Sequence, residues 1–258
     1  MNSKERIRQY WEDRALNTEA ATTDDVYLRE LEIITIVDTI KRLCSVKSVL
    51  DIGCGDGYST IKIAEALDSL SFLGIDYSKN MVKLARGRLT SNVMGRVAFS
   101  IGDVMDLRPI PSQFDIVLTD RCLINLESTE AQNEAIEQIA QHIKQGGYFV
   151  AIENFVEGQH NMNEARRAVG LPEIPVRWHN LYFEESEFLR GVCRYFEVLG
   201  IHDFSSAYYF ATRVIYSKMC QMRGETPDYR HEIHQLAVNL PAIGQFSPIR
   251  MVVLRRNG

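Results

Sequence analysis

The chain contains no apolar run near the roughly 18 residues that a membrane span needs, and its first ten residues are charged, without the apolar core of a secretion signal. The expectation is therefore a cytoplasmic protein with no membrane partner. No Lys/Arg run stands out, and the formal net charge is −5. That balance gives no general attraction to nucleic acid or to an anionic surface. The five cysteines (Cys44, Cys54, Cys122, Cys193, Cys220) are odd in number and scattered, with no CxxC pair. This excludes a disulfide framework and a zinc site and fits reduced thiols. There is no internal repeat and no low-complexity segment. What remains is a chain of 258 residues, 45% hydrophobic and 24% charged. That suits one large α/β domain, or one domain with a small cap, able to bury a full core.

The organising stretch is Ser48 to Gly57. Val49 to Ile52 reads as a buried strand, glycines alternate after it (Gly53, Gly55, Gly57), and Tyr58 to Leu67 reads as a helix. Such a strand, turn and helix brings bare backbone and a helix N-terminus up to a ligand. Asp51 and Asp56 argue against a phosphate and favour a cationic or hydroxyl-rich ligand. One strand later, Phe72 to Asp76 ends in a carboxylate placed to take both hydroxyls of a ribose. The dinucleotide fingerprint G-x-G-x-x-G is not met, because Tyr58 stands at its last position and Gly57 comes one residue early. A nicotinamide dehydrogenase is disfavoured accordingly.

The Val49–Gly57 motif with Asp76 resembles that of the class I S-adenosylmethionine-dependent methyltransferases, well over 45–155 and loosely outside. The resemblance implies S-adenosylmethionine as methyl donor and S-adenosylhomocysteine as product. It implies that the backbone of Gly53, Cys54 and Gly55 lies against the cofactor, that Asp51 pairs with its ammonium, and that Asp76 holds the ribose. Tyr77 and Met81 would pack on the adenine, and Asp103, followed by Val104, would accept its amino group. Helices before the first strand often form a lid in these enzymes, so Tyr10, Arg14 or Arg29 would reach the methionine carboxylate; packing or solvated roles for these residues stay open.

The rest of the chain alternates. Strands at 48–53, 71–76, 96–101, 113–119 and 148–152 are separated by helices at 58–68, 79–90 and 128–143, with Ser78 as an N-cap and Gly146-Gly147 closing the third helix. Helices at 4–16 and from Asp24 or Asp25 to about Cys44 precede them. The expected fold is α/β: a doubly wound, mostly parallel seven-stranded sheet with N-terminal lid helices and a C-terminal helical cap insertion, the last strand antiparallel. The expected division is a lid over 1–44, a cofactor-binding core over 45–155, and a cap over 156–258. The cap comprises a loop at 156–183 and an insertion at 205–244 with helices near 207–222 and 229–239.

An acceptor hydroxyl needs a general base. His179 is the first candidate, ahead of His160, His202, His231 and His234, because it sits in the aromatic-rich segment Arg177–Phe183. Arg177, Trp178 and Tyr182 would enclose the acceptor, and Tyr208 and Tyr209 would line its pocket or pack in the cap. Asp120 joins the cofactor set, while Arg121, Asn125 and Asn154 face the acceptor or merely cap strand ends. Asp120 with Glu153-Asn154 also resembles the magnesium site of catechol-type O-methyltransferases, but Glu153 replaces their Asp, and a metal is not expected. The function expected is methyl transfer to a small polar molecule, a hydroxyl rather than an amine, in glycan or secondary-metabolite biosynthesis. A cofactor-binding regulatory partner without turnover is the alternative. No nucleic acid is expected as partner, and a homodimer is left open.

Overall fold

The structure is a computed structural model and describes residues 3–16, 21–110 and 113–258. Two helices, α1 (Ser3–Arg14) and α2 (Val26–Ile40), precede the sheet. Asp25 caps α2, its carboxylate accepting from the Leu28 N–H at 3.1 Å. Then follow β1 (Ser48–Ile52), α3 (Tyr58–Ala66), β2 (Ser71–Asp76), α4 (Lys79–Gly87), β3 (Val97–Ile101), β4 (Phe114–Asp120), α5 (Thr129–Gln141) and β5 (Ile143–Asn154). Ser78 caps α4, accepting from the Met81 N–H at 3.1 Å, so the capping residue read from the sequence does that work.

After β5 come α6 (Val156–Ala168), α7 (Glu185–Val192) and β6 (Phe196–His202). Next is one continuous helical run made of α8 (Ser206–Tyr209), a π-helical segment (Phe210–Tyr216) and α9 (Ser217–Arg223). The short α10 (Glu232–Ala237) and β7 (Ile249–Arg256) end the chain. The strand order is β3-β2-β1-β4-β5-β7-β6, with β7 antiparallel to both neighbours. The insertion between the last two strands is thus helical, as the pattern predicts. Apolar cores lie on both faces of the sheet, which is why the parallel strands are apolar on both sides.

Two elements differ from the expectation. Gly146 and Gly147 do not close α5, which ends at Gln141; they lie inside β5, opposite an irregular register between Phe114 and Ile116. A Cβ on Gly147 would stand 2.8 Å from the Asp115 carbonyl oxygen, so the glycine serves close strand approach. The expected loop at 156–183 begins with thirteen residues of helix, α6. Its inward face is polar, which hides the helical period. Gln159 Nε2 donates to the Ile174 carbonyl at 2.5 Å, Asn163 Nδ2 to the same oxygen at 3.2 Å, and Arg166 Nε to the Pro172 carbonyl at 2.8 Å.

Candidate active site

The carboxyl ends of β1, β2, β4 and β5 open into a cavity of about 280 Å³, where ligands bind in such sheets. The turn after β1 forms its floor. The N–H groups of Gly53 and Cys54 both donate to the Ile75 carbonyl, at 2.8 and 3.0 Å. Gly53 and Gly55 are left-handed (φ +76° and +53°). A Cβ on them would come within 2.6 Å of Cys122 Sγ and Thr22 Cγ2 respectively. The bare backbone is therefore required by packing as well as by ligand approach.

Asp51 is buried and accepts from Thr60 Oγ1 at 2.5 Å. Burial pushes its carboxyl up to about 7, against the Thr60 bond. Asp76 accepts from the Gly55 and Ser78 N–H groups at 3.0 and 2.8 Å. Burial raises it to about 6, with those two bonds opposing. Asp56 is instead neutralised by Arg88 at 2.9 Å, so only one of the two acids flanking the glycines remains available to a cation. Asp120 is raised by burial and lies 3.4 Å from Arg121 Nε. Arg121, itself in the left-handed region at φ +53°, pairs with buried Glu32 at 2.9 Å.

Cys54, Tyr77 and Met81 line the cavity beside these groups, and Arg29 reaches it from α2 with its guanidinium 3.9 Å from the Tyr58 ring centroid. Four of the lining side chains carry buried polar atoms with no partner: Arg29 Nε, Tyr77 OH, Asn154 Oδ1 and His179 Nδ1. Buried polar groups are ordinarily satisfied, so four orphans around one cavity suit a polar ligand. A zwitterion with a ribose and an adenine fits this donor set, with the left-handed glycines as its cradle.

His179 sits in the wall, stacked on Tyr10 (centroids 4.3 Å) and flanked edge-on by Trp11 and Trp178. Burial, then the charges of Arg177 and Arg14, push it down to about 4, so it stands neutral at pH 7. Arg177 and Tyr182 also line the cavity.

Other expected site residues are placed differently. Tyr10 and Trp178 pack on His179 and do not line the cavity. Asp103 lies off it too, accepting from the Met105 N–H at 3.0 Å and pairing with Lys4 at 3.3 Å, and Val104 is core. Tyr208 is fully buried, bonded to Asp25 at 2.6 Å and His234 at 2.8 Å; its neighbour Tyr209 lines the cavity instead. Asn125 lines it, but its amide is engaged by Trp11 Nε1 (3.1 Å) and the Arg121 carbonyl (2.8 Å). Of the residues weighed for magnesium, Asp120 and Asn154 line the cavity and Glu153 does not. Glu153 faces the backbone, accepting from the N–H groups of Leu123, Cys122 and Ile124 at 3.1, 3.3 and 3.3 Å. Among the described residues no three His, Cys, Asp or Glu side chains cluster as a metal site.

Sequence reasoning missed Thr22, Gln159 and Arg213, all of which line the cavity, and it saw Asp25 only as a cap; of the expected pair Tyr208 and Tyr209, the second lines the cavity. Asp25 also pairs with Arg213 from the π-helical segment. That segment was the available signal in structural terms, since π-helical turns recur at functional sites, but nothing in the residue pattern announces it.

The protein-family model described as "Methyltransferase domain" matches residues 44–198. The chain belongs to this methyltransferase family. With the cavity and its glycine turn, that makes it an S-adenosylmethionine-dependent methyltransferase. Among curated proteins, the methyltransferase is 27% identical over 176 residues to the O-methyltransferase rstn1 of Aspergillus nomiae, covering 67% of this chain and 69% of that one. It is 31% identical to the O-methyltransferase cnsE of Penicillium expansum, over 55% of this chain and 48% of that protein. It thus spans about two thirds of one relative and half of the other. The fold is shared with the magnesium protoporphyrin IX methyltransferase of Synechocystis PCC 6803 solved with S-adenosylmethionine, at 14% identity and a TM-score of 0.59 over 100% of this chain and 98% of that one. It is shared too with a Haloferax volcanii protein solved with the Trm112 methyltransferase activator, at 15% identity and a TM-score of 0.62 over 96% and 98%.

Proposed function

We propose that this methyltransferase transfers its methyl group to a hydroxyl of a small polar acceptor, with His179 as the general base. The observation that carries the reading is the buried, partnerless Nδ1 of a neutral imidazole in the wall that also holds the glycine turn and Asp76. The names of the fungal O-methyltransferases support oxygen as the acceptor atom. We set this transfer in small-molecule biosynthesis.

The cofactor, when bound, supplies a methyl group already activated by a sulfonium. Asp51 places a carboxylate for its ammonium, Asp76 holds two ribose hydroxyls, and Arg29 faces its carboxylate. Alignment of the two reactants contributes on the order of 7–11 kcal/mol to such reactions. His179 receives the acceptor proton at Nδ1, a contribution of roughly two to four decades in rate. Residues 1–44 act as the lid, 45–155 as the cofactor core and 156–258 as the acceptor cap. Four contacts of α1 with the core support the lid: Lys4 to Asp103, Arg8 to the Tyr77 carbonyl at 3.3 Å, Glu12 to the Lys79 N–H at 3.0 Å, and Trp11 to Asn125.

The test is His179→Gln, assayed with a panel of hydroxylated metabolites. A fall in kcat of about a hundredfold or more with S-adenosylhomocysteine affinity unchanged is expected. An unchanged kcat removes His179 as base. Cofactor binding without product from any acceptor overturns turnover itself.

A further inference from the structure

The charges around the cavity divide along its length. At the cofactor end, Asp51 and Asp76 are held by Thr60 and by backbone N–H groups, and among the described residues neither makes an ion pair. Asp120 and Glu32 share Arg121, with Arg29 close enough to act on both. Asp51, Asp76 and Asp120 therefore face Arg29 and Arg121, with Glu32 buried behind Arg121, a balance suited to a cationic ligand.

The end built by the 177–182 turn and the C-terminal helices has the opposite balance. Arg213 is paired with one acid, Asp25. Arg177 makes no side-chain hydrogen bond or ion pair among the described residues, yet its charge acts on both His179 and Tyr182. Arg14, which also acts on His179, pairs with Asp24 at 3.7 Å, so three arginines face two carboxylates at this end. Three tyrosine rings, Tyr182, Tyr209 and Tyr229, line the cavity here with Ile174 and Pro175, beside the amides of Gln159 and Asn180. The Arg213 guanidinium lies over two of these rings, 5.2 Å from the Tyr209 centroid and 4.8 Å from that of Tyr229.

From this charge partition and these planar walls we propose that the acceptor is a hydroxylated aromatic carboxylate, its ring between the tyrosines, its carboxylate at Arg177 and its hydroxyl at His179 Nδ1. Arginine binds carboxylates through two parallel N–H donors, which also fixes the ring in its plane. Arg177 and His179 are two residues apart in one turn, closed by the Asn180 N–H donating to the Arg177 carbonyl at 3.0 Å. The group that orients the ring and the group that takes its proton are therefore held by the same short segment.

The inference rests on the methyl-transfer reading, and the experiment separates the two. The protein saturated with S-adenosylhomocysteine is titrated with caffeate and protocatechuate, each against its own uncharged methyl ester. Each acid should bind at least tenfold more tightly than its ester. The ratio should fall to threefold or less in Arg177→Gln and survive in Arg177→Lys. Equal binding, preference for the esters, or no binding of either acid overturns the proposal. So does a preference that Arg177→Gln leaves intact. Failure to bind S-adenosylhomocysteine would sink the methyl-transfer reading first. Cofactor binding with faster methylation of the esters would sink this inference alone.

Discussion

The buried carboxylates make cofactor affinity depend on pH in a calculable way. Asp51 is held near 7 and Asp76 near 6, both by burial. Each must be ionised to meet an ammonium or accept two hydroxyl protons. Binding therefore expels whatever protons these groups carry in the free protein. At pH 6 a carboxyl near 7 is about nine-tenths protonated and one near 6 about half, whereas at pH 7.5 both are mostly ionised. The combined penalty makes S-adenosylhomocysteine bind roughly fifteenfold more weakly at pH 6 than at pH 7.5. Isothermal titration across that range, in buffers of different ionisation enthalpy, reads both the affinity and the protons released. Asp51→Asn should weaken binding at pH 7.5 and remove most of the slope. A flat profile, or affinity that tightens as pH falls, refutes the reasoning. The same groups set a stability trend in the free protein. Their pKa values are raised on folding, so the stability they contribute is complete below about pH 4 and is lost as pH rises through 6 and 7.

Other outcomes follow from particular contacts. Gly55→Ala places a side chain at φ +53° and 2.6 Å from Thr22; it should cost at least about 1–2 kcal/mol in denaturant unfolding and abolish S-adenosylhomocysteine binding. Trp11→Phe removes the 3.1 Å bond to Asn125, worth about 0.5–1.5 kcal/mol, and should speed amide exchange in α1 while leaving β1 and β4 protected. Asp25→Asn strips the counter-charge from half-buried Arg213 as well as weakening a helix cap; a loss of about 3–5 kcal/mol is expected by chemical denaturation, and a loss below about 1 would remove the network from the account. His179 runs opposite to the carboxylates: its pKa is lowered on folding to about 4, so its contribution to stability is present above about pH 6.5 and is lost as pH falls toward 4. His179→Gln should flatten that part of the stability curve.

Legibility was uneven for identifiable reasons. The strand, turn and helix at 48–66 could be read because apolar runs and glycines are local signals, and the Ser78 and Asp25 caps were read from single side chains. The helix α6 was missed because Gln159, Asn163 and Arg166 point inward, satisfied by carbonyls of the following segment instead of by apolar packing. Glycines at 146 and 147 carry the residue type of a helix stop, yet their place is a crowded strand. Of the aromatic residues expected around the acceptor, Tyr182 and Tyr209 line the cavity while Trp178 and Tyr208 do not. A π-helical turn shifts which face of the helix points inward, and no periodicity argument from the sequence registers that shift.

Sequence alone picked out the turn at the base of the cavity, because one nine-residue motif contains both the left-handed glycines and Asp51, with Asp76 one strand on. Tertiary structure decided the other end of the cavity. His179, Arg177, Arg213 and Asp25 come from segments up to about 190 residues apart, and only the closed sheet with its inserted helices brings them to one chamber. Tertiary structure also decided which acids carry charge into the cavity, since burial, Arg88 and Arg121 reset each one separately. Charge and contact across such separations are properties of the folded chain, not of local sequence.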